Sequence, residues 1–351
     1  MNNPVISVCI PVYNTEKYLE QALWSVATQN FNSFEIVILN DASQGKDSLD
    51  RTCKKIVKLI QKKSKVYRKA NKLLPVNINY IENKKNRGLI EVRRTMGYES
   101  KGLYITQLDS DDEMVPGALS VMYACAEKTG ADIIHGSSTA GSFNENNDFI
   151  KSDENIFGAV FYGELNGRDI FRKWFIDIAF TGNIWGKLVK RDLYLKAFDH
   201  IPYTECNMLD DVLVFFFLSR YLNKYVGIEN QVVRYRMNVG MSSEINIDNM
   251  RKWRNKCSMA NVFTIISNSL EEDADFKLLS DENDRLKFLM IFYLQNTIIE
   301  LHTCVEKELI PQAYTMLCDY WGKDFVDEVD AALVRDAQEK LNEQSQLPEG
   351  K

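Results

Sequence analysis

The feature that most constrains this chain is the alternation of unbroken apolar runs with amphipathic helices from its first residues. Val5 to Val12 reads VISVCIPV. A run without polar alternation suits a strand buried on both faces, as in a parallel sheet. Asn14-Thr15 follows as a helix cap. Tyr18, Leu19, Ala22, Leu23 and Val26 then recur at helical spacing. A second run, Phe34 to Leu39, ends at Asn40-Asp41, and Leu49, Cys53, Ile56, Val57 and Ile60 repeat the helical period. The series β-α-β-α predicts an α/β fold: a doubly wound, mostly parallel sheet with right-handed crossovers and flanking helices.

The same reading extends along the chain. Residues 62–72 are mostly basic and polar, which suggests a surface excursion after the second helix. Strands are expected at 76–81 and 103–108, the latter running straight into Asp109, with a helix at 89–100 between them. Pro116 opens a helix carrying Leu119, Met122 and Cys125, and 132–135 is a fifth strand. Gly141 to Ser152 is rich in Gly, Ser, Asn and Asp and reads as a loop and soft boundary. A helix at 169–175, an ordered segment at 184–189, a helix at 211–222 and a strand at 225–236 follow. From about Ile245 Gly and Pro become scarce and helical periodicity dominates, with the aromatic residues read as core. The expected organisation is 1–138 and 139–244 as two halves of one α/β unit, then a helical extension over 245–351 whose last dozen residues fray.

Composition narrows the function. The net charge of −6 argues against a general nucleic-acid binder. An acidic protein that handles an anionic nucleotide must neutralise it locally, with a metal ion or a few placed cations. The seven cysteines are scattered with no CxxC pair, which suggests neither a zinc site nor a disulfide framework and fits reduced thiols in the cytoplasm. No charged segment followed by an apolar core opens the chain, so no signal peptide is expected. The longest strongly apolar run, Val212 to Leu218, is far short of the ~20 residues that a spanning helix needs.

Three segments fall just past predicted strand ends, where open α/β sheets bind ligands: Pro11-Val12-Tyr13-Asn14, Asn40-Asp41-Ala42-Ser43, and Asp109-Ser110-Asp111-Asp112. Asp41 reads equally as an acceptor for a base N–H or as a turn residue capping the next helix. The three carboxylates of the last segment repel one another, and a hard cation such as Mg2+ or Mn2+ would offset that repulsion. Against this stands a solvated turn capped by Asp. Arg93 and Arg94 read as a surface pair or as one nucleotide-facing cation. Asp210-Asp211 reads as a favourable charge at a helix N-terminus or as a general base for a hydroxyl. The three histidines form no spaced cluster.

With these residues in view, the chain resembles the inverting family-2 glycosyltransferases of the GT-A fold. The resemblance is carried by SVCIPVYNTEKYLEQALWSVATQNFNSFEIVILNDAS, by NRGLIEVRR and by GLYITQLDSDDEMVPGAL. Further on it is carried by Trp185-Gly186-Lys187-Leu188, by Asp210-Asp211 and by Tyr235-Arg236 with Ser242-Ser243. It implies a nucleoside-diphosphate sugar donor, with a UDP-sugar as the leading expectation. The implied acceptor is a glycan hydroxyl, often lipid-linked and reached from the cytoplasm, in cell-surface polysaccharide synthesis. It implies that Pro11, Tyr13, Asn14, Asp41 and Arg93 lie at the nucleotide. Asp109 and Asp111 would contact ribose and metal, Asp211 would be the base, and Asp112, Trp185, Lys187 and Asp210 would shape the acceptor pocket. The chain departs from the family pattern at Asn40, Arg94, Met96 and Asp210, and in a longer stretch between the second helix and third strand. A nucleotidyltransferase would want a Gly-rich phosphate loop near the N-terminus, which is missing. A non-catalytic nucleotide-sugar-binding subunit is the other rival. The C-terminal helices are open to dimerisation, to peripheral membrane contact or to closing over the acceptor.

Overall fold

The computed structural model describes residues 3–144, 148–152, 159–239 and 246–345. The N-terminal unit comprises residues 1–205 and 210–243. Its first strands, β1 (Ile6–Val12) and β2 (Phe34–Asn40), are buried at every residue, as their unbroken apolar runs require. Helix α1 (Glu16–Ala27) joins them. Helix α2 (Cys53–Ala70), β3 (Asn77–Glu82), α3 (Leu89–Glu99) and β4 (Tyr104–Gln107) continue the winding. The strands β3, β2, β1 and β4 lie in that order and all pair in parallel. The chain fills one side of β1 and then crosses to the other, so the sheet has its switch point beside β1 and β4.

Past β4 the sheet becomes mixed. The two-residue β5 (Glu113–Met114) and α4 (Ala118–Thr129) precede β6 (Ile133–Phe143), β7 (Phe149–Lys151), β8 (Gly163–Asn166) and α5 (Arg168–Phe175). Then come β9 (Lys187–Lys190), α6 (Arg191–Asp199), α7 (Asp210–Ser219) and β10 (Lys224–Arg236). β9 inserts antiparallel between β4 and β6, and β10 pairs in parallel with β6. The Gly141–Ser152 stretch is not simply a loop, because β6 runs on to Phe143 and pairs antiparallel with β7. Backbone pairing there outweighs the turn-forming composition. Helix α6 carries no signal strong enough for the sequence to announce it.

The expected excursion at 62–72 is instead the second half of α2. The buried face continues from Cys53, Ile56, Val57 and Ile60 through Ser64 and Arg68. It keeps helical spacing while switching to polar residues, which hides it from a hydrophobicity reading. Arg68 is buried and donates to the carbonyls of Leu74 (2.5 Å), Gln29 (2.7 Å), Phe31 (2.7 Å) and Ala27 (3.3 Å). These carbonyls supply the partners that a buried cation requires. The stretch expected between the second helix and the third strand is therefore largely a continuation of the helix.

The second unit comprises 206–209 and 244–351. It holds α8 (Met250–Cys257), α9 (Met259–Glu272), α10 (Ser280–Thr303), α11 (Ile310–Trp321) and α12 (Lys323–Ser345). The core includes Trp253, Leu294, Ile298, Leu301, Leu317 and Val326, and Trp253 Nε1 donates to the carbonyl of Ala313 (2.8 Å). The aromatic residues here are not all core: Trp253 and Phe263 are buried, whereas Phe288 and Phe292 stack on each other in the open. Helix continues to Ser345, through the first half of the tail expected to fray. Residues 346–351, and Ser242-Ser243 of the resemblance, lie outside the described residues.

Removing the Arg68 guanidinium leaves several buried carbonyls without donors. Arg68→Leu is therefore expected to lower the unfolding free energy by about 3 kcal/mol, measured by urea denaturation. A loss near zero would mean that these carbonyls find other partners.

Candidate active site

The carboxyl ends of β2, β1 and β4 share one edge of the sheet, and the loops leaving them are tied together. Pro11 is buried within β1, Tyr13 is half-buried and Asn14 is exposed. Asn14 adopts a left-handed backbone with φ 57°, a conformation that asparagine tolerates better than most residues. Its N–H donates to Ser43 Oγ (2.8 Å), and Ser43 donates to the buried Glu16 Oε1 (2.5 Å). Thr15 and Ser110 hydroxyls meet at 2.6 Å, linking the β1 loop to the acidic loop.

Asp41 is 3% exposed. Its carboxylate accepts from Asn83 Nδ2 (2.7 Å) and from the backbone N–H groups of Arg87 (3.0 Å) and Gly88 (3.1 Å). It thus satisfies donors at the start of α3, not of the next helix in the chain. Gly88 has φ 83°, a backbone conformation that L side chains rarely adopt.

The arginine pair separates by role. Arg94 braces the end of α6, donating to the carbonyls of Phe198 and Ile201 (2.6 Å) while pairing with Glu91 (3.2 Å). Arg93 turns inward. Its Nη1 lies 2.7 Å from Asp211 Oδ1 and 3.3 Å from Asp210 Oδ2, and its Nη2 lies 3.6 Å from Asp109 Oδ1. Tyr194 fixes the helix behind it, with its hydroxyl donating to the Arg93 carbonyl (3.2 Å) and accepting from Gln107 Nε2 (2.6 Å). Two acidic segments about 100 residues apart therefore converge on one guanidinium.

That guanidinium does not balance the charge around it. Burial works against Arg93's protonation, but Asp210, Asp211 and Asp109 outweigh it and keep it firmly charged. Burial pushes Asp109 up to about 7, with Arg93 opposing and Asp111, Asp211 and Asp210 adding to the rise. Burial pushes Asp210 up to about 6 against the pull of Arg93. Burial also raises Asp111, and it raises Asp112 further with Asp111 and Asp109 contributing. Among the described residues, Asp112 Oδ2 is buried without a hydrogen-bond partner, and Asp210 Oδ2 meets Arg93 as an ion pair.

This surplus of carboxylate oxygen fits Mg2+ or Mn2+ chemistry. Among the described residues no three His, Cys, Asp or Glu side chains converge as a complete metal cage. A divalent ion at Asp109 and Asp111 would have to complete its shell from ligand oxygens, as Mg2+ commonly does with phosphates.

The remaining expected residues lie behind this surface. Asp112 is 1% exposed, and its Oδ1 accepts the backbone N–H of Arg236 (2.8 Å). Trp185 is buried against Tyr235, with ring centroids 5.6 Å apart. Lys187 is 1% exposed and donates to the carbonyl (2.6 Å) and Oδ1 (3.2 Å) of Asn183. All three are buried side chains, not exposed contacts.

Arg236 braces the acidic loop. Its Nε donates to the Asp111 carbonyl (2.8 Å) and its Nη2 to Gln21 Oε1 (2.6 Å), while its guanidinium lies over Phe143 (4.0 Å) and Tyr18 (4.7 Å). Only its place beside Tyr235 in the family-like pattern marks it in the sequence, because its partner Asp112 is 124 residues away.

Burial pushes Lys187 down from 10.5 to about 7, with Asp211 opposing. Between those values the unfolded chain binds the proton more strongly than the folded one. Lys187 therefore costs stability below about 7, and the cost is relieved as pH rises toward 10.5. Urea unfolding of wild type and Lys187→Met across this range is expected to show wild type gaining on the variant as pH rises. A constant difference would contradict a buried amine at this position.

A family model described as glycosyl transferase family 2 matches residues 7–184, about half of the chain. Glycosyltransferase GlyA of Streptococcus pneumoniae serotype 4 is 26% identical over 280 residues, covering 75% of this chain and 35% of GlyA. A GalNAc(5)-diNAcBac-PP-undecaprenol beta-1,3-glucosyltransferase of Campylobacter jejuni is 28% identical over 201 residues, covering 56% of this chain and 55% of its own. The chain thus spans less than two thirds of either relative. The UDP complex of S. aureus TarS 1–349 superposes with a TM-score of 0.60 at 19% identity, covering 92% of this chain and 82% of that chain. This likeness places the fold in the GT-A class. The family match runs from β1 through the acidic loop and Arg93 to residue 184, and on that match the chain belongs to glycosyl transferase family 2.

Proposed function

We propose that this protein transfers a sugar from a nucleoside-diphosphate donor, a UDP-sugar, to a hydroxyl of a glycan acceptor with inversion at the anomeric carbon. The acceptor is a lipid-linked glycan reached from the cytoplasm, in cell-surface polysaccharide synthesis. The observation that carries the reading is the meeting of Asp109 and Asp210-Asp211 at Arg93. It sets metal-type acids and a candidate base side by side at the ligand-binding edge of the sheet. The UDP bound to TarS and the undecaprenol-linked acceptor named for the Campylobacter relative support the donor and acceptor classes.

The donor lies over residues 1–138 and the acceptor over 139–244. Pro11, Tyr13 and Asn14 border the base. Asp41 contributes by holding the 83–88 loop against it. Asp109 and Asp111 would hold Mg2+ or Mn2+, and the ion would supply charge stabilisation for the departing diphosphate. Asp211 takes the acceptor hydroxyl proton as that oxygen bonds to the anomeric carbon and the bond to the diphosphate breaks. Arg93 orients Asp211 through the contact between its Nη1 and Asp211 Oδ1 (2.7 Å). Asp210, Asp112, Trp185 and Lys187 shape the acceptor side, the last three from behind.

Calorimetric titration with UDP, GDP, CDP and dTDP, with and without Mn2+, tests the site. UDP is expected to bind in a metal-dependent way that Asp111→Ala abolishes. Arg236→Lys is expected to weaken only the metal-dependent part, by roughly tenfold. Asp211→Asn is expected to keep UDP affinity while transfer falls by about 10²–10⁴. Retained transfer in that variant would remove Asp211 as the base. A folded protein that binds no nucleotide would favour a non-catalytic role.

A further inference from the structure

The outer face of α2 carries charge that the donor site does not use. Between Asp50 and Glu82 the sequence has no acidic residue and ten lysines and arginines, in a chain whose net charge is −6. Lys54, Lys58, Lys62, Lys65 and Lys69 recur at intervals of three or four, so they form one stripe along the helix, with Lys55 beside it. All are exposed, and the stripe points away from the buried Ile56, Ile60, Ser64 and Arg68.

Neutralisation is uneven. Lys63, off the stripe, pairs with Glu20 (2.7 Å), and Lys54 reaches Glu82 only at 3.9 Å. Lys55, Lys58, Lys62, Lys65 and Lys69 form no ion pair among the described residues. Ordinary solvated helix faces intersperse the two signs. A stripe of one sign attracts an anionic surface.

Apolar residues lie along the same helix. Val66 is 72% exposed and flanks the stripe, and Leu74, just past the helix end, is 61% exposed. The stripe is lysine throughout, so it lacks the planar forks that read phosphate and base edges. Tyr67 lies edge-on to Trp24 with ring centroids 5.4 Å apart, so its ring is not simply offered to a base. Lysines interleaved with exposed aliphatic groups match a headgroup layer better than a nucleic acid. The face also reaches the catalytic edge. The start of α2 adjoins the end of β3 through Lys54 and Glu82, and exposed Lys84 and Lys85 follow in the loop that Asp41 holds.

We propose that the lysine stripe of α2 docks this protein on the anionic surface of a lipid bilayer, with Val66 and Leu74 entering the headgroup layer and the 83–88 rim held beside it. This extends the proposed lipid-linked acceptor, but its test needs no transfer activity.

The test is co-sedimentation with vesicles of phosphatidylcholine alone and of phosphatidylcholine with phosphatidylglycerol, at low and high salt. Wild type is expected to bind only the anionic vesicles, less so as salt rises. At about fivefold per lysine, Lys58→Glu/Lys62→Glu/Lys65→Glu/Lys69→Glu is expected to lose more than a hundredfold. Its thermal unfolding and UDP titration should match wild type, which separates lost docking from lost fold or lost donor site. Val66→Ser should weaken binding severalfold without changing the salt dependence. Equal binding to both vesicle types, or vesicle binding by the quadruple variant equal to that of wild type, would overturn the proposal. So would binding to single-stranded nucleic acid in preference to anionic vesicles.

Discussion

One buried guanidinium organises the functional edge of this molecule. Arg93 is the cation through which Asp109, at the end of β4, and Asp210-Asp211, at the start of α7, can share a half-buried space. Burial and like charges raise Asp109 and Asp210, and Arg93 is the charged group that opposes the rise in both. Even with it, Asp109 rises to about 7 and Asp210 to about 6. The site stays short of positive charge, a deficit that the metal of the proposed function would offset.

The supports around this cluster are mostly long-range and mostly polar. Arg236, closing β10, holds the backbone of Asp111 and the carboxylate of Asp112. Tyr194, from α6, holds the Arg93 carbonyl, and Asp41 holds the first donors of α3. Each support joins a loop at the ligand edge to a rigid strand or helix. Supports of this kind hold side chains in place with little reorganisation.

Much of the fold is legible in the sequence because the parallel strands must be apolar on both faces. The runs at Ile6–Val12 and Phe34–Asn40 have no other stable use in a chain of this kind. What was hidden had the opposite chemistry. The second half of α2 hides behind Ser64 and Arg68, whose burial is supported by hydrogen bonds instead of by hydrophobicity. The β6–β7 pairing hides behind turn-forming residues, and α6 behind an ordinary mix of charges.

The sequence by itself determined the doubly wound sheet, the three strand ends where a ligand would sit and the presence of an acidic loop, because each rests on local periodicity or on short spacing. Only the tertiary structure decided what each acid faces. Asp41 is taken up by the start of α3, Asp112 by Arg236, and Asp211 by Arg93. Those partners lie 47, 124 and 118 residues away. A carboxylate's role is set by the charges and donors around it, and the fold alone brings such distant partners within a few ångströms.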